Sequence, residues 1–80
     1  MYWVYLISSI AFPEQKYVGF TEDVKKRLST HNAKGSPHTA QYAPWELQAC
    51  FAFRDKQRAL DFEKYLKSHS GRAFSSKHFW

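Results

Sequence analysis

The chain has 80 residues, 19% of them aromatic and 24% charged, with 12 Lys and Arg against 7 Asp and Glu and a formal net charge of +5. A chain this short buries only roughly 60% of its unfolded surface, so one core built from large side chains is expected, with no room for a second folded unit. The aromatic content excludes a disordered tail, and the single cysteine, Cys50, excludes an internal disulfide framework or a CxxC zinc ribbon. Cysteine usage of this kind points to a reducing compartment, with the cytoplasm as the default. No run approaches the roughly 18 apolar residues of a membrane span, and the opening MYWVYLISSI lacks a basic signal segment, so a soluble, unprocessed chain is expected. A basic surface suits a polyanionic partner, because neutralising phosphates releases counterions, although many small basic proteins bind no nucleic acid.

Tyr2 to Ser8 is a short apolar and aromatic run with strand propensity on both faces, which predicts a central, buried strand. Lys16 to Phe20 reads as a second strand. Ser9 to Gln15, with Pro13, turns the chain between them into an antiparallel hairpin and sets Tyr5 and Tyr17 on neighbouring strands. Thr21 is a candidate cap, with Glu22 and Asp23 in the first turn of a helix that runs to about Lys34 and is stopped by Gly35 and Pro37. A polar loop, Gly35 to Pro44, leads to Trp45–Phe53. There Trp45, Leu47, Ala49, Phe51 and Phe53 alternate with Glu46 and Gln48 as in a half-buried strand. Asp55 caps a second long helix to about Ser68, and Ser70 to Lys77 forms a short third helix or turn. The order ββαβα(α) predicts an α+β fold, a small three-stranded, mainly antiparallel sheet flanked by two to three helices.

On the second helix, Ala59, Leu60, Phe62 and Leu66 define an apolar arc at ~100° per residue, and Glu63 projects from inside it while Gln57, Asp61 and Lys64 take the other side. A carboxylate on a core-facing stripe is costly unless it is paired or binds a cation, so Glu63 is either a structural salt-bridge partner or a metal or catalytic group. On the first helix Val24 and Leu28 face the core, with Arg27 and His31 beside them at i, i+4 spacing. Arg27 is then placed to grip a phosphate with two hydrogen bonds or to serve as an ordinary boundary arginine. His31 reads more plainly as a hydrogen-bonded flanking histidine. Four scattered histidines give no zinc spacing, and three isolated glycines give no phosphate loop, which disfavours nucleotide-triphosphate chemistry.

VYLI at Val4 to Ile7, KYVG at Lys16 to Gly19, Arg27 with His31, and Glu63 within ALDFEKYLKS together resemble the GIY-YIG nuclease family. PWEL at Pro44 to Leu47 and GRAF at Gly71 to Phe74 resemble its short stand-alone bacterial members, and the likeness spans nearly the whole chain. The resemblance implies a metal-dependent endonuclease that hydrolyses DNA in repair or recombination, acting through one divalent cation, Mg²⁺ or Mn²⁺. It implies that Tyr5 and Tyr17 are the motif tyrosines, Arg27 the catalytic arginine and Glu63 the metal-binding glutamate, with His31 near the site. Read without the family, the tyrosines are simply good strand formers.

Two positions depart from the pattern. Trp3 stands where the first motif has glycine, and Asn32, in the first helix, is the only asparagine, so none follows the glutamate helix. Nucleic-acid contacts are expected from Gly19, whose missing Cβ admits a phosphate, and from Lys34, His38, Thr39 and Gln41. Lys64, Lys67, Arg72 and Lys77 are further candidates, or all of these are solvated charges. The substrate expected is branched, flapped or single-stranded DNA. The alternatives are a non-catalytic nucleic-acid-binding module and an adaptor to a repair partner, the latter favoured by an exposed apolar patch around Phe74, Phe79 and Trp80.

Overall fold

The computed structural model describes residues 1–80. Three strands, β1 (Tyr2–Ser9), β2 (Lys16–Thr21) and β3 (Trp45–Phe53), form one sheet in the order β2-β1-β3 with both pairings antiparallel. Four helices accompany it, α1 (Val24–Asn32), α2 (Pro37–Ala40), α3 (Lys56–Lys67) and α4 (His69–His78). This is the α+β fold read from the sequence. β1 is central and buried on both faces, as its unbroken apolar run requires.

Alternate residues of β1 feed two separate layers. Val4 and Leu6 pack against Ala59 and Leu66 of α3, with Phe51, Phe53, Phe62 and Phe79 closing round them. Tyr5 and Ile7 point the other way, onto Trp45, Tyr17 and the α1 residues Val24 and Leu28. Each fully buried aliphatic side chain contributes about 1.5–3 kcal/mol by leaving water, so the sheet is held from both sides. No helix is long and apolar enough to cross a membrane.

The structure departs from the sequence reading at three places. Asp23, not Thr21, is the N-cap of α1, its carboxylate accepting from Lys26 N at 3.0 Å, while the Thr21 hydroxyl closes a tight turn on Asp23. Glu22 and Asp23 therefore precede the helix. The Gly35–Pro44 segment contains α2, started by Pro37 at its first turn, where a missing N–H costs nothing. Third, the alternation of β3 breaks at a bulge: Leu6 pairs with Ala49 but Ile7 pairs with Leu47, so Gln48 is an extra residue. Trp45 consequently packs with Tyr5 and Ile7, on the face opposite Ala49, Phe51 and Phe53, and Leu47 is 40% exposed.

Candidate active site

The β1–β2 register sets Tyr5 opposite Gly19 and Ile7 opposite Tyr17, so both tyrosines rise from the same face with ring centroids 6.1 Å apart. Tyr5 is only 1% exposed, and its ring lies across Gly19, where a Cβ would overlap the phenol. The glycine clears space for Tyr5. α1 crosses this face, and its i, i+4 spacing brings Arg27 and His31 down together. Tyr5 Oη lies 2.9 Å from His31 Nε2, and Arg27 Nε donates to the same oxygen at 3.4 Å. The Tyr17 ring stands edge-on to His31 with centroids 5.1 Å apart, and lies 6.3 Å from His38.

His31 is the one fully buried residue of α1, deeper than the half-buried Val24 and Leu28 that the hydrophobic pattern placed at the core. Its second ring nitrogen, Nδ1, is 2.7 Å from Thr39 Oγ1 on α2. A buried imidazole needs a partner at each nitrogen, and Thr39, expected from the sequence to contact nucleic acid, is instead buried as one of them. Thr39 is itself held by Trp45, whose indole Nε1 donates to the Thr39 carbonyl at 2.9 Å. Asn32, the single asparagine, brackets Trp45 in turn: its Oδ1 accepts from Trp45 N at 2.6 Å and its Nδ2 donates to Trp45 O at 3.2 Å.

Burial pushes the Tyr5 phenol up to about 12, against the opposing pull of the Arg27 hydrogen bond. At pH 7 a group of that pKa is ionised in roughly one molecule in 10⁵, so Tyr5 is a neutral phenol. Burial, and secondarily the Arg27 charge, hold His31 below its ordinary range, which keeps it neutral as well. Arg27 is raised further by its contact with Tyr5 and carries the positive charge of the cluster.

The lowered His31 has a measurable consequence. Unfolded, the imidazole takes a proton at about 6.5, whereas the folded state binds it only at lower pH. The unfolded state therefore holds more protons in that window, and stability falls as pH drops from about 6.5 through the folded value. Urea denaturation across this range is expected to show that slope in the native chain and to lose it in His31→Gln.

Glu63 comes from the other layer. Its side chain is 19% exposed, and Lys67, one turn on, donates from Nζ to Oε2 at 3.1 Å. Around the edge strand β2 the two layers share a cleft of about 550 Å³, whose wall includes Tyr17, His38, Lys16, Lys67, Arg72 and Trp80. Tyr5, Tyr17, Arg27 and His31 thus form one cluster, and Glu63 is tied to the cleft through Lys67. Of the expected nucleic-acid contacts, His38, Lys67 and Arg72 line this cleft and Lys34 does not. Lys34 follows α1 in a left-handed conformation, φ 61°. Lys16 was not singled out in the sequence; its position next to Tyr17 carries it to the same rim, 5.3 Å from the Trp80 ring centroid.

The family model of the GIY-YIG catalytic domain matches residues 1–77. The chain belongs to the GIY-YIG family. A UPF0213 protein of Lacticaseibacillus paracasei is 52% identical over 52 residues, covering 64% of this chain and 58% of that protein. A UPF0213 protein of Streptococcus agalactiae is 41% identical over 58 residues, covering 71% and 66% respectively. The structure-specific endonuclease subunit SLX1 of Malassezia globosa is 32% identical over 83 residues, which covers 98% of this GIY-YIG chain and 19% of the subunit. The chain spans less than two thirds of the length of each of these relatives.

Proposed function

We propose that residues 1–80 form a single nuclease domain that hydrolyses DNA phosphodiester bonds with the help of one divalent cation. The observation that carries this reading is the meeting of Arg27, Tyr5, Tyr17 and His31 beside a cleft lined by Lys16, Lys67 and Arg72. The match to a structure-specific endonuclease subunit favours branched, flapped or single-stranded DNA and a role in repair or recombination, and the word subunit favours a protein partner that supplies specificity. The lone, free Cys50 suits cytoplasmic action.

Arg27 would bind the scissile phosphate. Its Nε–H is engaged by Tyr5, which leaves most of the five guanidinium donors for phosphoryl oxygens, where negative charge gathers in the transition state. Tyr17 lines the cleft whereas Tyr5 is buried, so Tyr17 is the tyrosine that meets the attacking water. As the water oxygen bonds to phosphorus and the bond to the leaving oxygen breaks, the water's proton passes to Tyr17. The Tyr17 proton moves to Tyr5, and the Tyr5 proton to His31 Nε2. No free tyrosinate forms, which suits a phenol held at about 12.

The residues present fit a cation of the Mg²⁺ or Mn²⁺ type. No three His, Cys, Asp or Glu side chains gather into an all-protein cage. Glu63 offers one carboxylate with one oxygen on Lys67, and a hard cation that retains several waters needs little more. Bound at Glu63, it would supply Lewis acidity to the departing oxygen. Lys67 competes with it. Lys67→Ala is therefore expected to tighten Mn²⁺ binding about 2- to 5-fold, the worth of a half-exposed ion pair, as read by electron paramagnetic resonance without DNA.

The deciding assay incubates the chain with labelled junction, flap, single-stranded and duplex DNA in Mg²⁺, Mn²⁺ or EDTA. Cutting of branched or single-stranded DNA that needs the cation is expected. Salt-sensitive binding with no cutting at any cation concentration would overturn the enzyme in favour of a binding module.

A further inference from the structure

His31 sits between two hydroxyls, and counting donors favours one of its two ring nitrogens as the carrier of the proton. Arg27 Nε has only a hydrogen to offer Tyr5 Oη, so the proton of Tyr5 itself needs an acceptor, and His31 Nε2 lies 2.9 Å away. For Nε2 to accept, the neutral ring must carry its hydrogen on Nδ1, which then donates to Thr39 Oγ1 at 2.7 Å. Thr39 sends its own hydrogen to the Ser36 carbonyl oxygen at 3.5 Å. In this arrangement every group has a partner, in keeping with the absence of any unsatisfied buried side-chain nitrogen or oxygen. The reverse arrangement points Nε2–H at an oxygen already receiving Arg27 and turns the Tyr5 proton away from the imidazole, toward the Tyr17 hydroxyl.

We infer that Thr39 is a positioning residue for the hydrolysis proposed above: its buried hydroxyl holds His31 in the Nδ1–H tautomer, so that Nε2 stays bare to take the proton of Tyr5. The inference rests on that reading for its consequence, but not for its geometry. Thr39 is 1% exposed and lies eight residues beyond His31. Its backbone is anchored independently of the hydroxyl, by Trp45 Nε1 on its carbonyl and by Asn32 on the Trp45 backbone. Beyond the imidazole, the hydroxyl has one further partner, the Ser36 carbonyl oxygen at 3.5 Å. The neutral state of His31 completes the argument, because an imidazolium has no lone pair on either nitrogen. With the opposite tautomer Nε2 would carry a hydrogen and could not take the Tyr5 proton.

The test is nitrogen-15 NMR of the histidine rings in the native chain, Thr39→Ser and Thr39→Val, alongside cleavage kinetics. The native chain and Thr39→Ser are expected to show Nδ1 protonated at His31. Thr39→Val, which keeps shape and anchor, is expected to shift the ring toward Nε2–H and to lower kcat roughly 10²-fold with KM little changed. Serine restores both. A native chain protonated at Nε2, which needs no variant to observe, or a folded Thr39→Val that keeps the Nδ1–H tautomer, overturns the inference. A switched tautomer with unaltered kcat overturns the role of Thr39 in the reaction. A native chain that cuts no DNA defeats the proposed function instead, and the NMR result still decides the tautomer.

Discussion

Arg27→Ala is expected to abolish detectable cutting while leaving the fold intact. The side chain is exposed and contributes a single long hydrogen bond, 3.4 Å, to Tyr5, so its loss takes little from the core. Its charge is the one that, in the proposed hydrolysis, meets the phosphate beside the tyrosines, and removing one preorganised donor to a developing oxyanion costs on the order of 10²–10³ in kcat. Glu63→Gln is expected to match it by a different route. The amide keeps the size of the carboxylate but cannot supply a negative oxygen to a hard cation, so excess Mn²⁺ should recover part of the activity. Excess metal should do nothing for Arg27→Ala. Thermal unfolding near the native midpoint in both variants, with cutting lost in both, is the expected result; cutting that survives both changes would sink the site.

How much of this was legible in the sequence follows from how local each signal is. β1, β3 and α3 are written in short-range patterns, an apolar run, an alternation and a capped amphipathic helix, and they form where expected. The bulge at Gln48 is invisible in β3 alone because it is set by pairing with β1, and it turns Trp45 onto the Tyr5 face. Helix geometry placed Arg27 and His31 together beside the core-facing Val24 and Leu28, and those two do pack on the Tyr5–Ile7 layer. The structure buries His31 more deeply still, because Tyr5 and Thr39 satisfy both its nitrogens. Thr39 was marked only as a loop contact for nucleic acid, though it is 1% exposed, and Asn32 only as the single asparagine. Each acts through a partner brought near by tertiary packing, Thr39 on His31 and Asn32 on Trp45. Glu63 was conspicuous as a carboxylate on an apolar arc, and the structure gives it a counterion, Lys67, that lines the cleft.

A large effect on stability is expected from Gly19→Ala, and the reason for it separates two meanings of that glycine. A Cβ at position 19 would overlap Tyr5 Oη and Cζ and come within 2.7 Å of Cε1. The phenol has no room to retreat, since it is packed with Ile7 and Trp45 and tied to His31 and Arg27. Overpacking of this kind costs about 1–3 kcal/mol, and in a domain this small each kcal/mol lowers Tm by roughly 4–8 °C. Tyr5→Val removes the overlapping atoms, so Gly19→Ala in that background should cost nothing, or stabilise by about 0.4–1 kcal/mol through the unfolded chain. The difference between the two backgrounds, measured by urea denaturation, is the coupling between Gly19 and Tyr5. Equal costs in both would remove Tyr5 as the cause. If Gly19→Ala instead left stability untouched and weakened only DNA binding, the missing Cβ would be there to admit a phosphate.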